Sequence, residues 1–220
     1  MAKITFHIIT IFPEAFDSYF GQSILKRAIE KKLIAVKFYN PRDFTSDKHK
    51  KVDDRPYGGG PGMVMYAEPI IKAVDKIKSE VRPPLSKVKV ILFAAEGKQF
   101  DNATAGKLSK KFTDIIMIAG HYEGIDARVT TILRAQEISI GSYILTGGEL
   151  PAMILVDFIA RQIEGVLGKY ESLEEKRQTG SKVYTRPEVV KYKDRCYKVP
   201  KVLLSGNHKK IEEYRARKRR

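Results

Sequence analysis

The sequence predicts an α/β fold built on a largely parallel β-sheet with helices on both faces. Three observations carry this. Apolar runs of strand length alternate along the chain with segments whose apolar residues recur at helical spacing. Most of those runs are apolar at consecutive rather than alternate positions, as in strands buried on both faces. The chain has 220 residues, 43% of them hydrophobic and 30% charged, which suffices for one domain with a sizeable core and a small second one.

The elements follow in order. Residues 3–11 form the first apolar run. Phe12-Pro13-Glu14 then reads as a helix start, because proline suits the first turn and an acidic residue there meets the positive end of the helix dipole. Phe16, Phe20, Ile24 and Ala28 recur at a helical period up to Glu30-Lys31-Lys32. A second strand is expected over 33–39. The polar stretch 42–55 carries charges of both signs and runs into Pro56-Tyr57-Gly58-Gly59-Gly60-Pro61-Gly62-Met63. A helix is expected over 67–79 with Ile70, Ile71, Val74 and Ile77 buried. After the Pro83-Pro84 break, residues 88–95 form a strongly apolar strand closed by Glu96-Gly97-Lys98. A helix over 102–111, a buried strand over 114–119, a loop over 120–126 and a helix over 127–134 follow.

The stretch Glu137–Pro151, EISIGSYILTGGELP, is unusual. An apolar strand breaks at Gly141-Ser142, resumes as Tyr143-Ile144-Leu145, and turns through Gly147-Gly148 into a helix reaching about Ile163. Glycine is costly inside a strand and marks sharp bends or close approach to the backbone. Spacing alone leaves two readings open, a backbone-built pocket and a plain strand–turn–helix. From Gly165 the chain turns polar and shows no strand, as a linker would. A helix is expected from about Lys209, capped by Asn207 or Ser205. The last fourteen residues hold seven Lys/Arg against two Glu. The expected organisation is a main domain over 1–164, a linker over 165–180 and a small basic helical domain over 181–220. No internal repeat is present.

The formal charge of +15, from 41 basic and 26 acidic residues, favours polyanions, of which nucleic acid is the commonest. A membrane surface would require an amphipathic segment with a large apolar face, and none is found. No apolar run is long enough to cross a bilayer and the N-terminus lacks signal-peptide features, so the cytoplasm is the expected location. The single cysteine, Cys196, excludes an intrachain disulfide. It sits among Lys193, Asp194, Arg195 and Lys198 with no histidine close in sequence, which favours incidental placement over a nucleophile. His7, His49, His121 and His208 show no metal-ligand spacing, and His7, inside an apolar strand, reads as a satisfied core histidine. The YGGGPGM tract lacks the Lys-Ser/Thr of a nucleotide-triphosphate loop and is not a G-x-G-x-x-G fingerprint. It suits a tight turn at least as well as an anion loop. G-x-S-x-G is absent. The residues alone give a basic α/β protein with a glycine-lined stretch.

Six motifs go further: DDRPYGGGPGMVM (Asp53–Met65), GHYEGIDARV (Gly120–Val129), EISIGSYILTGGELPAM (Glu137–Met153), GVLG (Gly165–Gly168), YTRPEV (Tyr184–Val189) and VPKVLLSGNHKKIEEYR (Val199–Arg215). With FPEAF and NPRDFTSDKHK near the N-terminus, they closely resemble the bacterial tRNA (guanine-N1)-methyltransferase family, TrmD, of the SPOUT class. The resemblance covers nearly the whole chain in the family's order. It implies a deep trefoil knot in the C-terminal part of the α/β domain, against the general rarity of knots, and a working homodimer. It implies an S-adenosylmethionine pocket made by the knot, with Gly120, Ile140, Gly141, Ser142, Tyr143, Ile144 and Leu145 as the cofactor-binding positions.

The implied reaction is methylation of N1 of the guanosine immediately 3′ of the tRNA anticodon. Its implied partner is the anticodon stem-loop of tRNA, with no membrane and no DNA. Arg161 and Glu123 match the family's assisting arginine and guanine-holding glutamate. Lys209, Lys210 and Arg215, with the tail to Arg220, would grip tRNA phosphates. The resemblance also implies an effect of Mg²⁺ on activity, although no ligand cluster is visible in the sequence.

The chain departs from the family in places. Lys176 stands where the family's linker aspartate acts as base, so Glu175 is the expected substitute and Glu174 the second choice. Ser142 replaces a usual Asp, Ala94-Ala95-Glu96 replaces a Ser-Pro-Gln tract, and the chain ends soon after Arg215. These departures keep two other readings open: an RNA-binding protein of the same fold with weakened catalysis, and a SPOUT methyltransferase acting at another RNA position.

Overall fold

The computed structural model describes residues 3–81, 87–167 and 183–217. The chain divides into two compact units, residues 1–168 and 169–220.

The first unit is built on strands β1 (Ile4–Ile9), β2 (Ile34–Tyr39), β5 (Val88–Gln99), β6 (Asp114–Ile118) and β7 (Gln136–Ser139). They form one sheet in the order β2-β1-β6-β5-β7, and every pairing in it is parallel. Parallel strands need crossovers, and helices supply them. Helices α2 (Ser23–Glu30), α4 (Asn102–Lys111) and α6 (Glu149–Arg161) cover one face around Phe6, Phe16, Leu25, Leu108, Leu155 and Ile159. Helices α3 (Ala67–Glu80) and α5 (Arg128–Leu133) cover the other around Ile70, Val74, Leu92, Ile118 and Val129. On β6, Ile115 and Met117 join the first core while Ile116 and Ile118 join the second. That is why the strand is apolar at every position from Ile115 to Ile118. Burial of each such Ile or Phe contributes about 1.5–3 kcal/mol. The N-terminus of α4 is set by Asp101, whose side chain accepts the Thr104 N–H at 2.7 Å.

The sequence expectations are corrected at five places. The single helix expected after Pro13 is broken. A 3₁₀ turn (Pro13–Phe16) and α1 (Asp17–Phe20) end at Gly21, Gln22 is extended, and α2 starts afresh. The phase shift buries Leu25 and leaves Ile24 at the surface. Next, β5 does not close at Glu96-Gly97-Lys98 but runs on to Gln99. A bulge lets Lys98 and Gln99 pair with Ile138 and Ser139 of β7. A β-carbon at Gly97 would lie 2.7 Å from the carbonyl carbon of Glu137 and the nitrogen of Ile138, so only glycine lets the two backbones meet there. Third, Tyr143-Ile144-Leu145 is exposed loop rather than resumed strand. Fourth, the polar stretch before the glycines contributes β3 (Asp53–Asp54), paired antiparallel with β4 (Val64–Met65). The YGGGPGM tract is the tip of this small hairpin, and Gly58, Gly59, Gly60 and Gly62 all take positive φ.

The fifth correction is in the second unit, which is not purely helical. Strands β8 (Val189–Tyr192) and β9 (Arg195–Lys198) form an antiparallel hairpin ahead of α7 (Lys201–Leu204) and α8 (His208–Arg217). Alternation across an exposed two-stranded ribbon gives no continuous apolar run, so the pattern was hidden. The Asn207 side chain accepts the Lys210 N–H at 3.1 Å and so fixes the start of α8.

Candidate active site

Three segments of adjacent strands, two of them the loops leaving the carboxyl ends of β6 and β7, enclose a cleft of about 420 Å³, where parallel sheets commonly hold ligands. They are the stretch of β5 from Leu92 to Ala95 at its bulge, the loop after β6 from Gly120 to Ile125, and the loop from β7 to α6. The walls mix apolar side chains (Leu92, Phe93, Ile138, Ile144, Leu145) with a run of glycines, Gly120, Gly124, Gly141, Gly147 and Gly148.

Two of these glycines allow close approach. A β-carbon at Gly148 would lie 2.5 Å from the α-carbon of Ala119, and the Gly148 N–H donates to the Gly120 carbonyl at 2.8 Å. At Gly141 the ring of Tyr143 fills the place a β-carbon would take. A side chain at Gly148 would push the second and third segments apart, and one at Gly141 would displace the Tyr143 ring.

The hairpin tip packs on the same loop. The Glu123 N–H donates to the Met63 carbonyl at 2.9 Å, the Met65 N–H to the Gly124 carbonyl at 3.0 Å, and the Asp126 N–H to the Met65 carbonyl at 3.1 Å. The Glu123 side chain occupies the space beside Gly62 that a β-carbon would need. Asp126 ends the loop. Arg128 donates to both its oxygens, with the shortest bond 2.6 Å, and this hydrogen bonding first of all holds its carboxyl below the usual range.

The structure brings most of the expected site together. Gly120, Glu123, Ile140, Gly141, Tyr143, Ile144 and Leu145 all line the cleft. Ser142 is exposed and is not among the lining residues. Arg161 lies in the last turn of α6, twelve residues from Glu149 beside the cleft, or about 18 Å along the helix axis. Arg161 is not among the residues that line the cleft. Lys209, Lys210 and Arg215 lie exposed on α8 of the second unit. Glu174, Glu175 and Lys176 fall outside the described residues.

Sequence reasoning missed a buried polar cluster against the cleft. Glu149, 7% exposed, accepts the Thr10 hydroxyl at 2.6 Å and pairs with His121 Nε2 at 2.6 Å. The Thr10 oxygen in turn accepts the Phe12 N–H at 3.0 Å. An acidic residue opening a helix reads as a dipole partner, which concealed its burial. The lining contributed by Leu92–Ala95 of β5 was missed as well, because nothing in an apolar run marks the bulge that turns it toward the cleft. His7 is a satisfied core histidine, 2% exposed and bonded to Asp114 at 3.0 Å and to Tyr39 at 3.3 Å.

Comparison with known proteins agrees in kind. Residues 4–220 match the family model described as tRNA (Guanine-1)-methyltransferase TrmD. A tRNA (guanine-N(1)-)-methyltransferase of Clostridioides difficile is 49% identical over 96% of this chain and 90% of its own length. One of Dictyoglomus turgidum is 50% identical over 94% and 82%. One of Caldanaerobacter subterraneus is 46% identical over 97% and 86%.

Proposed function

The chain belongs to the tRNA (guanine-N1)-methyltransferase family, and from that premise we propose that it methylates N1 of the guanosine immediately 3′ of the tRNA anticodon, with S-adenosylmethionine as donor. That it is a methyltransferase acting on a tRNA guanine rests on the family match along the whole described fold. The single observation that carries the site is the glycine-walled cleft at the β5 bulge and the ends of β6 and β7.

The cleft fits the donor in size and chemistry. A volume of about 420 Å³ suits a nucleoside with a short tail, and its walls offer apolar faces for a base together with close-packed backbone. When bound, S-adenosylmethionine supplies a methyl group on a sulfonium that leaves as a neutral thioether. Gly120, Ile140, Gly141, Tyr143, Ile144 and Leu145 would hold it, and Ser142 would act through its backbone. Among the described residues no group of three or more His, Cys, Asp or Glu side chains could hold a metal. Mg²⁺ is therefore given no protein-built site among them and no step.

The rest of the reaction falls to side chains. N1 of neutral guanine bears a proton, so a base must take it as the nitrogen lone pair forms the new bond to carbon. We assign that base to Glu175 of the linker, since a lysine such as Lys176 holds its proton at neutral pH unless strongly desolvated. Glu123 would hold the guanine, which must be splayed from the loop stack to reach it. Arg161 would assist as the positive partner of the base edge.

Two features support a homodimer over a self-sufficient chain. Arg161 and the cleft stand at opposite ends of α6. The same helix also leaves Leu150 and Ile154, four residues apart, 55% and 43% exposed. In the proposed dimer each cleft is completed by the partner's Arg161 and linker. The SPOUT trefoil knot belongs to this reading too, and rests on the family match. The division into a domain over 1–164, a linker over 165–180 and a basic domain over 181–220 is proposed on the same ground. Lys209, Lys210 and Arg215 would contact tRNA phosphates. The work site is the cytoplasm, where tRNA is; among the described residues no helix is long and apolar enough to cross a membrane.

The test is methylation of tRNA transcripts bearing guanosine 3′ of the anticodon, followed by mapping of the modified position on total tRNA. N1-methylguanosine at that position is expected. Absence of product at any protein concentration, or a modification elsewhere, overturns the assignment.

A further inference from the structure

The buried cluster of Glu149, His121 and Thr10 has no part in the reaction as described, yet it sits where the walls of the cleft meet. Glu149 opens α6 and closes the third wall. His121 stands in the middle of the second wall, on the same loop as Gly120 and Glu123. Thr10 directly follows β1.

The bonds have one consistent direction. A carboxylate only accepts, so with Glu149 in that form Oε2 receives its hydrogen from His121 Nε2 and Oε1 receives one from Thr10. Thr10, having donated its hydrogen, accepts from Phe12. The imidazole is therefore fixed with hydrogen on Nε2. The Phe12 ring meets it edge-on with centroids 5.0 Å apart, and Tyr122 does so at 6.1 Å. A β-carbon at Gly147 would strike both the imidazole and the Glu149 carboxylate, at 2.5 Å and 2.6 Å. This gives that glycine its reason.

We propose that Glu149 is a positioning residue for methyl transfer: through His121 it locks the loop carrying both the cofactor-binding Gly120 and the guanine-holding Glu123 against the β7–α6 segment. The inference rests on the methyltransferase reading above. A single buried carboxylate thereby couples the cofactor wall to the substrate wall. Glu149 touches neither reactant.

Glu149→Gln keeps the volume and one accepting oxygen but turns an NH₂ toward His121 or Thr10. One of the two bonds must then invert or break. Thr10→Val removes the other anchor at nearly constant shape, and Thr10→Ser restores the hydroxyl. The readout is calorimetric binding of S-adenosylhomocysteine without tRNA, alongside tRNA affinity and thermal melting. A bond to a charged acceptor is worth about one to two factors of ten in an equilibrium. Cofactor Kd is therefore expected to rise about tenfold or more in Glu149→Gln and in Thr10→Val, and to recover in Thr10→Ser, with tRNA affinity unchanged. At saturating cofactor, kcat of Glu149→Gln is expected to stay reduced, because Glu123 shares the loop.

A purely structural role would lower the melting temperature and leave the cofactor Kd of the folded variants at the wild-type value. That result overturns the proposal. Should Glu149→Gln fail to fold, the Thr10 pair alone decides, by the presence or absence of loss and recovery. If the wild-type chain binds no S-adenosylhomocysteine, it is the methyltransferase reading that fails. The two failures are thus distinct.

Discussion

The side chain of Glu123 lies over the α-carbon of Gly62, in the volume that a β-carbon there would take. Gly59, three residues earlier, has nearly the same backbone angle (φ +80° against +77°) but no atom within 4 Å of such a β-carbon. Alanine at either site carries a similar left-handed strain of about 1–2 kcal/mol. Only Gly62→Ala also moves Glu123. It is expected to lower kcat/KM for tRNA tenfold or more, while Gly59→Ala stays within about threefold at temperatures where both are folded. Steady-state kinetics on the two variants checks this, and equal effects would dissociate Glu123 from guanine.

His7 predicts an acid sensitivity. Burial pushes its imidazole below the ordinary value of 6.5, with Asp114 only partly opposing. The unfolded chain therefore binds a proton at a pH where the folded chain does not. The resulting stability is fully present above about pH 6.5 and falls as the pH drops from there through the folded value, by at most about 1.4 kcal/mol per pH unit. Denaturant titrations at several pH values should show this slope, and His7→Asn should flatten it. An unchanged slope would assign the acid sensitivity to other groups.

The Gly97 crossing predicts a cost in both stability and binding. Alanine there would drive a β-carbon into the backbone of Glu137 and Ile138, where nothing can rotate away. The strands β5 and β7 must separate, at about 1–3 kcal/mol. Because Ile138 and Leu92–Ala95 of β5 both line the cleft, cofactor affinity should fall along with the midpoint of thermal unfolding. Alanine at Gly106, which meets no neighbour, is the control.

The fold was legible where burial decides the pattern. The strands at β1, β5 and β6 are apolar on both faces because a helical layer covers each face, and consecutive apolar residues record this. It was illegible where backbone geometry decides. Nothing in the apolar period of 16–28 announces that Gln22 is extended, and nothing in Glu96-Gly97-Lys98 distinguishes a stop from a bulge. For the site, glycine spacing left a pocket and a plain turn equally open, and the family resemblance supplied the positions of the third wall. Glu149 was hidden because a first-turn acid looks the same in sequence whether it faces water or a buried histidine.

The separation of Arg161 from the cleft predicts complementation between chains. If Glu123 and Arg161 of one chain serve one site, mixing Glu123→Ala with Arg161→Ala restores nothing. If each site takes Arg161 from the partner, a mixed dimer holds one doubly damaged site and one intact site. Random reassortment makes half the dimers mixed, so about a quarter of wild-type activity should return. Activity measured after co-refolding the two variants decides between the arrangements. No recovery would place both residues in one protomer's site.

The proposed base carries the last prediction: the linker reads Glu174-Glu175-Lys176. A glutamate is ionised at neutral pH and can take the N1 proton; a lysine is protonated and cannot, unless burial lowers it by several units. Loss of a general base costs about 10²–10⁴ in rate. Glu175→Gln should therefore reduce single-turnover methylation at least a hundredfold while leaving tRNA and S-adenosylhomocysteine binding intact. Lys176→Asp in that background should restore it, since a carboxylate one residue on can reach the same proton after a small shift of the chain. If Glu175→Gln turns over normally, the proton goes elsewhere. Glu174→Gln, tested in parallel, then shows whether the neighbouring carboxylate receives it.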